Sequence, residues 1–98
     1  MKFEFEFEGV VVEWRGPAPF YFVPMPADLS AEVKALAATL SYGWGVVPVR
    51  ARVGEVEFTT SLFPREGGFW VPLKLAVTKP NNIKVGDTLE VWLALGTR

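Results

Sequence analysis

Between residues 68 and 95 runs the segment GFWVPLKLAVTKPNNIKVGDTLEVWLAL, whose apolar positions are too dense for anything but the centre of a core. It reads as a strand, a tight excursion closed by Gly86-Asp87, and a second strand. Side chains alternate across a strand. In residues 88–95, Leu89, Val91, Leu93 and Leu95 therefore share one face, and Glu90 and Trp92 take the other. In residues 69–75 the larger apolar set is Phe69, Val71, Leu73 and Leu75, which sends Trp70, Pro72 and Lys74 to the far side. Two tryptophans thus stand out of phase with the main core. An indole buries on the order of 200 Å², so a helix, another strand or a partner chain is expected to cover them.

The rest of the chain supplies more strands and one helix. Residues 2–8, KFEFEFE, alternate strictly, with Phe inward and Glu outward. After Gly9 the apolar series passes to Val10, Val12 and Trp14, which predicts a bulge at Gly9. Residues 15–19, RGPAP, form a loop, and residues 20–23, FYFV, are apolar on both faces, as in a doubly covered strand. A helix follows with Asp28 or Ser30 as its N-cap and Val33, Leu36, Ala37 and Leu40 along one side, and the glycines of residues 43–45 end it. Residues 47–53 and 56–63 make a hairpin about Gly54-Glu55 with a type II′ turn. That register sets Val53 opposite Val56, Arg52 opposite Glu57 and Arg50 opposite Thr59. An Arg52–Glu57 surface pair would leave Arg50 the more available of the two arginines. Residues 64–68 turn the chain back. Val-Pro recurs at Val23-Pro24, Val47-Pro48 and Val71-Pro72. Proline gives no donor to a ladder, so these points predict a sheet that parts and re-pairs, with two weakly similar halves.

Ninety-eight residues make one domain, spanning residues 1–98. Half of them are hydrophobic, which suits a globular core. The chain has no cysteine and no histidine, which removes thiolate chemistry, the usual general base and the commonest metal ligand. No metal site and no cofactor are expected. The formal net charge of −1 gives no global field toward nucleic acid or an anionic membrane. No apolar run approaches the roughly 20 residues of a membrane span. Lys2 leads straight into alternating Phe and Glu rather than into a secretory leader, and the reading is a cytoplasmic protein. Glutamine is absent, asparagine is scarce and proline is frequent, a composition that suits a thermophilic source.

Taken in order, several of these pieces resemble the family known as domain of unknown function nineteen-oh-five. They are the Phe-rich opening strand, FVPMP at residues 22–26, Gly43-Trp44-Gly45, Val47-Pro48-Val49 and TSLFP at residues 60–64. Gly67-Gly68, VPLK at residues 71–74 and Val85-Gly86-Asp87 continue the match. The resemblance implies a double-split β-barrel of six strands or so, distantly like the swapped-hairpin barrels of AbrB-type and MazE-type regulators. It carries no catalytic residues. The fold expected is therefore mainly β: a small, mostly antiparallel barrel with one short α-helix.

Three functions are compatible with the residues. The first is a non-catalytic binding module, self-associating or holding a small molecule, with Trp44, Arg50, Trp70, Lys74 and Trp92 at the contact. Its structural alternative is that the helix over residues 33–40 covers both indoles. The second is a nucleic-acid-binding regulator by fold analogy, with Arg50, Arg52, Lys74 and Lys79 on phosphates, although these cations are thinly spread. The third is an enzyme restricted to groups such as Asp28, Glu32, Asp87 and Glu90, Ser61 without a histidine, or a Lys74 desolvated between the tryptophans.

Overall fold

The computed structural model describes residues 4–14, 20–39 and 47–95, and every structural statement below concerns these. Its organising hairpin joins β4 (Val47–Val53) to β5 (Val56–Arg65). The register is the one that the alternation dictates: Val53 faces Val56, Arg52 faces Glu57 and Arg50 faces Thr59. Of the two loop residues only Gly54 takes a positive φ, +60°, as a type II′ turn requires. On one side of β4 lies β7 (Thr88–Leu95), and beyond it β1 (Glu4–Val10). On the other side β5 runs past Leu62 to pair with β6 (Gly68–Leu73), followed by β3 (Phe20–Pro24) and β2 (Val12–Trp14).

All seven strands pair antiparallel in the order β1-β7-β4-β5-β6-β3-β2, and the sheet curls into a half-barrel. Two helices accompany it, α1 (Ala27–Thr39) and the single turn α2 (Leu75–Thr78). Val23, Val49, Ala51, Leu62, Val71 and Leu93 are wholly buried inside the curl, and α1 and α2 add Val33 and Val77. The expected barrel of six strands or so with one short helix is thus a seven-stranded half-barrel with a second helical turn.

The prolines mark where ladders stop. Pro48 pairs with Ser61, but the β4–β7 ladder begins only at Val49. Pro72 pairs with Phe22, whereas the β5–β6 ladder ends at Trp70. Pro24 pairs with Trp70 beyond the last β2–β3 rung at Val12–Phe22. Each missing N–H therefore falls where no neighbour would have used it.

The sheet also shows the two halves that the recurring Val-Pro suggested. The β2–β3 hairpin matches the β5–β6 hairpin, and β1 pairing with β7 matches β5 pairing with β4. Strands β3 and β6 pair with each other, as do β4 and β7. With β1 and β2 together as the counterpart of the long β5, each half reads strand, strand, helix, strand.

Three sequence expectations give way. No bulge occurs at Gly9: β1 keeps one register from Glu4–Ala94 to Val10–Thr88. Phe5, Phe7 and Val11 stay inward, while Val10 and Trp14 are exposed. Glycine is needed because β3 passes close, and a Cβ at Gly9 would stand 2.4 Å from Val23 Cγ1. Neither Asp28 nor Ser30 caps α1. The helix begins at Ala27, with Asp28 in its first turn beside the positive end of the dipole. Ser30 instead turns inward, and its Oγ accepts the Phe69 N–H at 3.1 Å. Leu75 does not extend β6. It opens α2, where it is 72 % exposed, and Val77 takes the buried place.

Candidate functional site

Residues opposite each other in a ladder share a face, so the registers of β2, β3, β6 and β5 define an outer surface row by row. Trp14 lies beside Phe20, then Val12, Phe22 and Pro72 form a row. Pro24, Trp70 and Phe63 form the next, and Gly68 with Arg65 the last. The Phe22 ring stands 5.8 Å from Trp70 and 6.3 Å from Phe63, both tilted. Trp14, Phe20 and Phe63 remain 41 %, 52 % and 43 % exposed, so large rings stand in water on a face that the core does not use.

Arg65 is the one cation in these rows. Its guanidinium lies 5.1 Å from the Trp70 ring centre and 5.9 Å from Trp14. Its Nε is buried without a hydrogen bond, and the Glu66 carboxylate is 3.7 Å away. Ring faces therefore hold this arginine more than hydrogen bonds do, at about 0.5–2 kcal/mol per contact in general. The hairpin turn that presents it has positive φ at both Glu66 (52°) and Gly67 (80°), a type I′ turn. At this edge a recess of about 170 Å³ is lined by Met25, Ser30, Arg65 and Trp70 among others. That is well below the roughly 300–1,000 Å³ of a small-molecule pocket.

Trp92 occupies a different outer surface, that of β1, β7, β4 and β5. Arg50 and Arg52 lie 5.3 and 4.9 Å from its ring centre, and its Nε1–H donates to Glu4 Oε1 at 3.1 Å. Glu57 pairs with Arg50 at 3.3 Å, on the diagonal, and not with Arg52 directly across. The expected roles of the two arginines are thus reversed, because Arg52 lies over the indole. Glu4 on β1, Trp92 on β7, the two arginines of β4 and Glu57 on β5 thus form one run of contacts across this surface.

Of the residues singled out in the sequence, the structure brings Arg50 and Trp92 together and places Trp70 on the other half-sheet. Lys74 is exposed at the start of α2 and does not sit between indoles. Trp44 lies outside the described residues. Helix α1 packs Val33 into the core on the inner side, and Ala27 and Ser30 of its first turn line the recess beside Trp70. Arg50 and Arg52 sit on β4, while Lys74 and Lys79 bracket α2, so the four cations do not gather. The carboxylates are dispersed as well: Asp28 and Glu32 on α1, Glu90 across from Glu8, and Asp87 closing its own turn on the Lys84 N–H at 2.8 Å. Among the described residues no three acidic side chains could hold a metal ion, and no helix is long and apolar enough to cross a membrane.

Sequence reasoning missed Trp14, Phe20, Phe22, Phe63 and Arg65. The signal was there in residues 20–23, apolar on both faces, where the second face is an open surface and not a covered one. Compared with known families, residues 7–93 match the family described as Domain of unknown function (DUF1905), and the chain belongs to it. No curated protein matches the chain.

Proposed function

We propose that this DUF1905 member is a non-catalytic interaction module that receives its partner on the outer face of the β5-β6-β3-β2 half-sheet. One observation carries the reading: Trp14, Phe20, Phe22, Phe63 and Trp70 share one side of four adjacent strands, with Arg65 across two of the rings. Aromatic side chains and arginine are what interface cores enrich, and lysine and carboxylates are what they exclude. Clustered exposed rings of this kind are often functional on a monomer. A small molecule finds no deep cavity on this face, and a phosphate backbone finds a single cation where several are required. For catalysis the one facing carboxylate pair, Glu8 and Glu90, lies exposed on the other half-sheet, and the remaining acids are spread over separate elements.

Amide chemical shifts of the isotopically labelled chain test this. The probes are the chain itself at rising concentration, a proline-rich decapeptide and a thymidine decanucleotide. The expected result is that the chain itself or the decapeptide moves amides in β2, β3, β6 and the end of β5, and that the decanucleotide does not. Shifts confined to the strands around Trp92, or no shifts with any probe, would overturn the proposal.

A further inference from the structure

We infer that the partner meets this face with its own C-terminal end, setting its last carboxylate on Arg65 and an aromatic last side chain in the recess beside Trp70. This rests on the reading of the face as an interaction surface and adds the chemistry of its occupant.

The arginine supplies the first observation. A guanidinium carries its N–H donors in a flat fork that fits a carboxylate. Among the described residues the Arg65 side chain meets the Trp14 and Trp70 rings, and the Glu66 carboxylate at 3.7 Å, too far for a hydrogen bond. Its Nε is the one side-chain nitrogen or oxygen among them that is buried with no partner. The two terminal amino groups are unpaired as well, and since they are not buried they face water. Stacking against the indoles fixes the guanidinium plane in advance, so little freedom is lost when a carboxylate docks on its edge. The donors that the fold leaves open are those a carboxylate accepts from.

The charge balance selects the kind of anion. Two carboxylates flank the site, Glu66 in the same turn and Asp28 between the two α1 residues that line the recess. A polyanion would meet these acids along with the arginine, and a nucleic acid requires several cations. A single carboxylate needs only the one fork.

The space selects the rest of the ligand. The recess holds about 170 Å³ and is walled by Met25, Phe69, Trp70 and Arg65 among others. A cavity of about 150 Å³ takes one benzene ring. At roughly 200 Å² per side chain, the exposed parts of Trp14, Phe20 and Phe63 amount to about 270 Å². That is a footprint for a residue or two, and far below what two folded surfaces need. A terminal aromatic residue carries carboxylate and ring on one Cα and fills fork and recess together, leaving the exposed rings for the residue before it. An internal Asp or Glu brings chain on both sides and needs a second residue for the recess.

Amide and arginine side-chain shifts of the labelled chain, titrated with acetyl-Gly-Ser-Gly-Phe bearing a free carboxylate, test this. The expected result is saturable shifts at the Arg65 Nε–H and at the amides of Met25 and residues 67–70, with a dissociation constant of about 1 mM or tighter. The same peptide closed as its C-terminal amide, and one ending in Gly, should each bind about tenfold more weakly. Arg65→Lys keeps the charge without the fork and should weaken the free acid about tenfold. Glu66→Gln removes a competing carboxylate at an exposed turn, and should strengthen the free acid about two- to fourfold even if Arg65→Lys folds poorly. Acid and amide binding alike on this face would overturn the carboxylate assignment and leave the interaction face in place. Equal binding of acetyl-Gly-Phe-Glu-Gly amide, whose carboxylate is internal, would overturn the chain-end assignment in the same way. No shift with any of these peptides overturns the C-terminal partner, and titration with the chain itself and the decapeptide then decides the face. Shifts confined to the strands around Trp92 overturn both.

Discussion

Gly9 and Glu66 show how much can turn on a single backbone position. Glycine inside a strand signals either a bulge or a close approach of another backbone, and the residues alone do not separate the two. The packing does, because β3 leaves no room for a methyl group beside Val23 Cγ1. Gly9→Ala is expected to cost about 1–3 kcal/mol, the usual penalty of overpacking, read as a lower urea midpoint with an unchanged slope. Glu66 carries the opposite lesson. It holds φ 52° in a turn that favours Asn or Gly there, and its ion pair with Arg65 is long and exposed. Glu66→Asn should raise stability by about 0.5 kcal/mol, and a lower midpoint would refute the assignment of this strain. The inward phase of Phe5, Phe7, Leu62 and Leu93 is legible because period-two alternation states it outright. Trp14 is misplaced when its phase is shifted by a bulge that does not exist.

At the scale of the elements, alternation tells strand from loop but not where a strand stops. Residues 69–75 alternate without a break, yet β6 ends at Leu73 and the chain coils into α2. A hydrophobic set one residue longer cannot be told from a helical turn that begins there. The consequence is measurable. Leu75→Asp, on an exposed position, should change stability by less than about 0.5 kcal/mol. Val77→Ala, emptying a fully buried site, should cost about 2 kcal/mol. A larger cost for Leu75→Asp than for Val77→Ala in chemical denaturation would mean that Leu75, not Val77, anchors the excursion. The candidate face is hidden for a related reason. Alternation alone sends Trp70 outward, but Phe22, Phe63 and Arg65 join it only through the β3–β6 and β5–β6 registers, and pairing between distant strands is not written in any one strand.

The whole molecule is two halves that close each other, and this fixes how it must assemble. Within the first half β2 pairs with β3, and within the second β5 pairs with β6; the β1–β7, β3–β6, β4–β5 and β4–β7 ladders all cross between halves. The join is the two-residue turn at Gly54-Glu55, exposed and buried against nothing in the core. A lone half keeps one short hairpin and leaves Val49, Val71 or Leu93 facing water, and an isolated two-stranded hairpin is marginal at best. Fragments 1–54 and 55–98 should therefore each be unfolded alone and should combine one to one into the native sheet, recovering the near-ultraviolet dichroism of the intact chain. Recovery should depend on fragment concentration, since the turn supplies only the effective concentration of one half for the other. A half that folds by itself, or a mixture that stays unfolded, would show that the crossing ladders are not what stabilises the sheet. Because β3 and β6 come from different halves, the Phe22–Trp70 ring contact exists only once the halves have met. The proposed interaction face is thus a property of the closed molecule, and it should form only when the fragments assemble.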